Sequence, residues 1–221
     1  MSTRSKSGLQ TATEAKSRTV SRGGRDGAQI WIIGALSAIA RDGAETIRIE
    51  KLAKEIKVSK GSFYWFFDGL DDLLLRVLDY WKTHLNDVVF DQVKTSNGSL
   101  EDKLHLLIDS VFQRKLGKYD AAIRAWALRA PHVQSFVANV DRERLEFLEQ
   151  LFIENAPEAA DNRHRAHLFY RAFIAESYLH HYPHDNRDAD YLKDLVRLLV
   201  CSRLTPVSTA ADRDKPPGLH S

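Results

Sequence analysis

The chain has 221 residues, 43% of them apolar, and a formal net charge of +2. That is enough apolar material for a packed core, and a balance so near neutral argues against a nonspecific coat for nucleic acid. The single cysteine, Cys201, excludes an internal disulfide framework and fits a reducing compartment. No apolar stretch approaches the ~20 residues of a membrane span, and no secretory h-region follows the N-terminus, so a cytoplasmic location is expected.

Residues 1–24 read as a disordered arm. Up to position 25 it carries Arg4, Lys6, Lys16, Arg18, Arg22 and Arg25 against Glu14, a net of +5 that leaves the remainder at −3. Such an arm suits phosphate or minor-groove contact, and equally a solvated leader with no role. A first helix is predicted over 26–41, with Ile30, Ile33, Leu36 and Ala40 turned inward and Gly43 ending it.

The segment 48–67 is the most informative. Ile49, Leu52, Ala53 and Ile56 fall on one helical face, with Ala53 small enough for close helix approach. Val58 plugs the following turn, Ser59 is a good N-cap, and the next helix buries Phe63 and Phe67. Five consecutive aromatics cannot share one face, so at least one of Tyr64 and Trp65 must be exposed. Two short helices and a tight turn, the second polar at its start, make the helix-turn-helix that enters a DNA major groove. Lys60 and Ser62 suit base edges, and Gly61 lets the backbone lie close to DNA. Tyr64, Trp65, Ser59, Arg48 and Lys57 suit phosphates, fixing orientation without reading sequence.

The run Val58-Ser59-Lys60-Gly61-Ser62-Phe63-Tyr64-Trp65-Phe66-Phe67, followed by Leu70-Asp71-Asp72-Leu73-Leu74, resembles the DNA-binding signature of the tetracycline-repressor (TetR) family. The likeness covers roughly residues 26–82 and includes Gly43, Thr46 and the Leu52-Ala53 pair. Lys57 stands where that family usually has glycine, Trp65 where histidine is common, and Leu70 where a lysine often meets a phosphate.

Beyond the motif, a long helix over 70–94 carries Leu73, Leu74, Val77, Leu78, Trp81, Leu85 and Val88. A loop at 95–99 follows, then helices over 100–115, 119–129, 132–155, 158–182 and 188–203. The tail 205–221 reads as disordered. The expected architecture is all-α, about nine helices: a helix-turn-helix DNA-binding domain over 25–69 and a helical domain over 70–204. The resemblance implies that the latter binds an effector and dimerises.

In the resembled family, aromatic residues of the middle helices line an effector cavity. Carried over, this names Trp81, His105, Phe112, Trp126, Phe169 and Phe173; an ordinary helical core accounts for the same residues. The family's last two long helices pair with their counterparts, which places Tyr178, Tyr191, Leu195, Leu198 and Leu199 at a homodimer interface. The last helix also holds more apolar surface than one internal face requires.

His180, His181 and His184 invite a metal, but Pro183 breaks their helix and no Cys or carboxylate completes a tetrahedron. No metal or cofactor is expected. Gly-rich phosphate loops, nucleophile elbows and His-Glu-x-x-His pairs are absent, so no enzyme is expected. The reading is a homodimeric transcriptional repressor released from a pseudo-palindromic operator by a small molecule. The alternatives are an activator or effector-independent DNA binder of the same fold, and an all-α small-molecule binder with a vestigial DNA reader.

Overall fold

A computed structural model describes residues 27–179 and 188–201. The basic arm, His180, His181, His184 and the C-terminal tail lie outside the described residues. Among the described residues every regular element is helical: α1 (27–42), α2 (Ile49–Glu55), α3 (Lys60–Phe63), α4 (Leu70–Lys82), α5 (Val88–Thr95), α6 (Leu100–Gln113), α7 (Gly117–Ala127), α8 (Pro131–Asn155), α9 (Asn162–Leu179) and α10 (Asp188–Cys201). The chain is all-α, as its sequence predicts.

In α1 the buried stripe is Trp31, Ala35, Leu36, Ala38 and Ile39, while Ile30 and Ile33 are 48% and 41% exposed. This corrects the predicted inward face. Trp31, the largest side chain of the helix, takes the core by meeting the Phe63 ring edge-on at 5.2 Å, a contact worth about 0.5–1.5 kcal/mol beyond its burial. Helix α2 then crosses close by: a Cβ on Gly34 would lie 2.5 Å from Ile56 Cγ2. The small residue at this crossing is therefore Gly34 as well as Ala53. Gly43 ends α1 at φ 89°, a conformation that suits glycine.

Helix α3 spans one turn, with 64–66 continuing as turns. The predicted helix through Phe67 is thus shorter, because Tyr64 caps it while Phe66 and Phe67 bond back to the Phe63 carbonyl. Lys57, in the turn before α3, has φ 58°. A side chain there costs about 1–2 kcal/mol relative to right-handed backbone.

Helices α4 and α5 form one rod joined by a π-helical turn at Thr83–Asp87. The extra residue shifts the buried stripe. Leu73, Val77, Leu78 and Trp81 face the core before the turn, but Val89 and Val93 do so after it, whereas Val88, the position that unbroken periodicity selects, is 36% exposed.

The apolar interior forms two clusters. One joins the helix-turn-helix unit to α4, α7 and the first half of α8, through Phe63, Trp81, Ile123 and Val137 among others. The second gathers α5, α6, the second half of α8, α9 and α10, through Val93, Ile108, Phe152, Phe169 and Leu192. Helix α8 runs through both: Val133, Val137 and Val140 belong to the first, Leu148, Leu151 and Phe152 to the second, and Arg144 stands between them on the same buried face.

Arg144 is 8% exposed. Its Nη1 donates to Asp120 Oδ1 at 2.8 Å and its Nε to Asn86 Oδ1 at 3.3 Å, in the π turn. Arg124 donates from Nε to the other oxygen of Asp120 and from both terminal nitrogens to Asp141. The Tyr170 hydroxyl donates to Asp141, and Lys82 pairs with Glu143 at 2.8 Å. Burial pushes the Asp120 carboxyl up, but Arg144 and Arg124 outweigh it and hold Asp120 below the usual range. Burial, the largest influence, raises the Tyr170 phenol to about 12, so it remains neutral and donates.

Lys57→Gly is expected to raise stability by about 0.5–1 kcal/mol, the relieved strain less the entropy glycine adds to the unfolded chain, as read by urea denaturation. Asp120→Asn removes one partner of a buried pair and is expected to lose about 3–5 kcal/mol by the same measurement. Because Asp120 is depressed in the fold, its contribution is present in full above the ordinary aspartate range and is lost as pH falls toward its lower folded value. The acid limb of the stability profile should be shallower in Asp120→Asn than in the parent.

Candidate nucleic-acid interface and interior cavity

Between Arg48 and Trp65 the chain carries Arg48, Lys51, Lys54, Lys57 and Lys60 against Glu50 and Glu55. This net positive surface sits on a unit whose underside is sealed by Leu52, Ala53, Phe63 and Phe67. Ser59 caps α3: the Ser62 N–H donates to Ser59 Oγ at 3.2 Å, and the Ser62 hydroxyl donates to the Ser59 carbonyl at 2.7 Å. The cap orients the turn that follows, where Tyr64 and Trp65 are 58% and 82% exposed. Both aromatics therefore stand outward beside Lys60. Gly61 has nothing within 4 Å of where a Cβ would lie, so protein packing does not require a glycine there.

Arg48 donates from Nη1 to the carbonyls of Glu45 and Ile47, which holds its guanidinium at the start of α2. Lys57 is exposed on the intervening turn. Leu70 packs partly buried against the core and leaves no cation at that position. Lys60 is bonded to Glu50, which raises the ammonium and lowers the carboxyl from their ordinary values. Sequence reading missed Glu50; ten residues separate the pair, so no helical spacing announces it.

A separate cavity of about 30 Å³ lies in the second cluster. Val89 and Phe90 of α5, Leu107 and Val111 of α6, Arg144 and Leu148 of α8, and Phe169, Tyr170 and Phe173 of α9 line it. Of the six residues named for a pocket, Phe169 and Phe173 are on this wall. Phe112 packs edge-on against Phe173 at 6.0 Å. Trp81 and Trp126 belong to the other cluster, and His105 on α6 is half-buried without lining this space. Arg144 and Tyr170 were missed, though Arg144 had a legible signal: it is a charge inside the apolar stripe Val137, Val140, Leu148, Leu151.

Of the five residues named for dimerisation, Tyr178, Tyr191 and Leu198 are 42%, 59% and 63% exposed. Tyr191 and Leu198, seven apart, share one side of α10. Leu195 is half-buried, and Leu199 is buried in the second cluster with Leu192 and Val196. Among the described residues no helix is long and apolar enough to cross a membrane, and no group of three or more His, Cys, Asp or Glu is placed to hold a metal ion.

The bacterial regulatory proteins of the tetR family match this chain over residues 32–77, the span from α1 into α4. An uncharacterized HTH-type transcriptional regulator of Bacillus subtilis (strain 168), YuxN, is 40% identical over 47 residues; that match spans 21% of this chain and 16% of the relative. Two solved structures share the fold across most of both chains. A transcriptional regulator from Saccharomonospora viridis in complex with choline superposes with a TM-score of 0.66 at 13% identity, over 80% of this chain and 96% of its own. The fatty acid degradation regulator FadR from Bacillus halodurans does so at 0.62 and 19%, over 79% and 94%. Residues 32–77 thus match the DNA-binding unit of the tetR-family bacterial regulatory proteins, on a chain that shares the fold of these two solved structures.

Proposed function

We propose that the protein is a homodimeric repressor that leaves its operator when a small molecule enters the interior cavity. One observation carries this reading. The rod that begins under Phe63 and Phe67 at Leu70 continues to Val89 and Phe90 on the cavity wall. A molecule larger than the free space must displace these walls, and a displacement of α5 is passed to α4 and the base of the DNA reader. The effector acts only by the difference in its affinity for the two arrangements.

In this reading Lys60 and Ser62 contact base edges, while Arg48, Lys57, Ser59, Tyr64 and Trp65 hold phosphates and Gly61 gives close backbone approach. Lys60 must leave Glu50 to do so. Two copies would read half-sites about one turn, ~34–36 Å, apart. The exposed Tyr191 and Leu198 supply apolar area for pairing α10 with its counterpart, alongside Tyr178 of α9 and the half-buried Leu195.

Fluorescence anisotropy on DNA from upstream of the protein's own gene, with random competitor at several salt concentrations, tests the reading. Saturable binding that survives competitor is expected; failure on a genome-wide fragment pool as well would sink it. Tyr64→Phe should weaken all sequences alike by about 1 kcal/mol. Lys60→Ala should relax preference at one base position by about 1–3 kcal/mol, and an equal loss on every sequence would refute its base-reading role. Glu50→Gln, which frees Lys60 and removes a negative charge from the surface, should tighten binding, most visibly at low salt. Tyr191→Glu with Leu198→Glu should yield a folded monomer in sedimentation with markedly weaker operator binding.

A further inference from the structure

The walls of the cavity specify a chemistry as well as a location. Seven of its nine lining residues are Val, Leu or Phe, and Arg144 is the one charged group among them. That charge is already balanced. Among the described residues at the junction, Lys82, Arg124 and Arg144 are paired with Glu143, Asp141 and Asp120. The Tyr170 hydroxyl is occupied, accepting from Arg124 at 3.2 Å and donating to Asp141 at 2.6 Å.

What remains is an excess of donors. Arg144 uses Nη1 on Asp120 and Nε on Asn86, while its Nη2 has no hydrogen-bond partner among the described residues. Its guanidinium carbon lies 5.2 Å from the centre of the Trp81 ring, whose Nε1–H is buried and likewise without a partner. An unpaired donor on an apolar wall offers a site for an acceptor, whereas an added buried ion with no countercharge is unfavourable. A carboxylate would satisfy the donors but leave one surplus negative charge. An ammonium would add positive charge and bring further donors. A neutral molecule with an acceptor oxygen satisfies the hydrogen bond and disturbs neither balance.

We infer that the effector is an uncharged, largely apolar molecule whose carbonyl oxygen accepts a hydrogen bond from Arg144 Nη2 while its apolar body spreads among Phe90, Val111, Phe169 and Phe173. This rests on the effector-responsive reading above and specifies its ligand class. The free space is far below the volume of such a molecule, so the rings must part to admit it.

Three probes of equal chain length separate the chemistries: 2-octanone, octanoate and octylammonium, each titrated calorimetrically into the full-length protein. The ketone is expected to bind roughly tenfold tighter than either ion. Val111→Phe, confirmed as folded by its thermal transition, should lose most of the ketone affinity. Octanoate or octylammonium binding as tightly as the ketone would overturn the inference, as would absence of binding by all three or unchanged ketone affinity in Val111→Phe. Repeating the titrations on the operator complex keeps the two proposals apart. An ion that binds best and releases DNA sinks the neutral chemistry while leaving the effector-responsive reading; a ketone that binds without releasing DNA does the reverse.

Discussion

The ion pair between Arg144 and Asp120 is the constraint on which the arrangement of the two halves depends. Apolar surfaces attract one another without specifying an angle, and both clusters on their own would tolerate sliding. A buried guanidinium tolerates little. It must meet its carboxylate, and here one arginine joins α8 to α7 directly and to the π turn through Asn86, while Arg124 extends the connection to Asp141 and to Tyr170 of α9. Removing both charges for well-packed apolar side chains would not inevitably weaken the fold, since buried pairs are costly to desolvate. The directional restraint on four elements would disappear with them.

The helix-turn-helix unit falls in one apolar cluster with α4, α7 and the first half of α8, and that cluster includes residues far along the chain, such as Val133 and Val140. Two continuous helices, the α4–α5 rod and α8, run from the second cluster to the first. One is pinned to the other at the point where the clusters meet.

Much of the fold was legible because it rests on local patterns. Helical periodicity located the long rods, Gly43 marked the end of α1 and Ser59 the start of α3, and Phe63 and Phe67 declared the buried face of the reader. The misreadings have physical causes. In α1 the isoleucines resembled a core stripe, but Trp31 outweighs them in buried area and sets the helix's rotation. The α3 helix was overextended because aromatic spacing alone does not distinguish a helix from successive turns. Steric exclusion required at least one of Tyr64 and Trp65 to be exposed, and both are. The cavity was less accessible: its lining comes from four helices, and which aromatics share a wall depends on tertiary packing. Trp81 and Phe169 look alike in sequence yet belong to different clusters. Arg144 was visible as a charge in an apolar stripe, but its partner Asp120 is on another helix.

The π turn at Thr83–Asp87 sets the phase of everything that follows on the rod. One surplus residue turns the later segment by about 100° relative to a regular helix and advances it by about 1.5 Å. The face that α4 offers to the DNA reader and the face that α5 offers to the bundle are therefore geared separately, although one backbone carries both. Regularising that turn would require the whole downstream stripe to leave its groove together. Length changes of a single residue at this point act on rotation before they act on reach, which makes the turn a place where small insertions or deletions have disproportionate consequences.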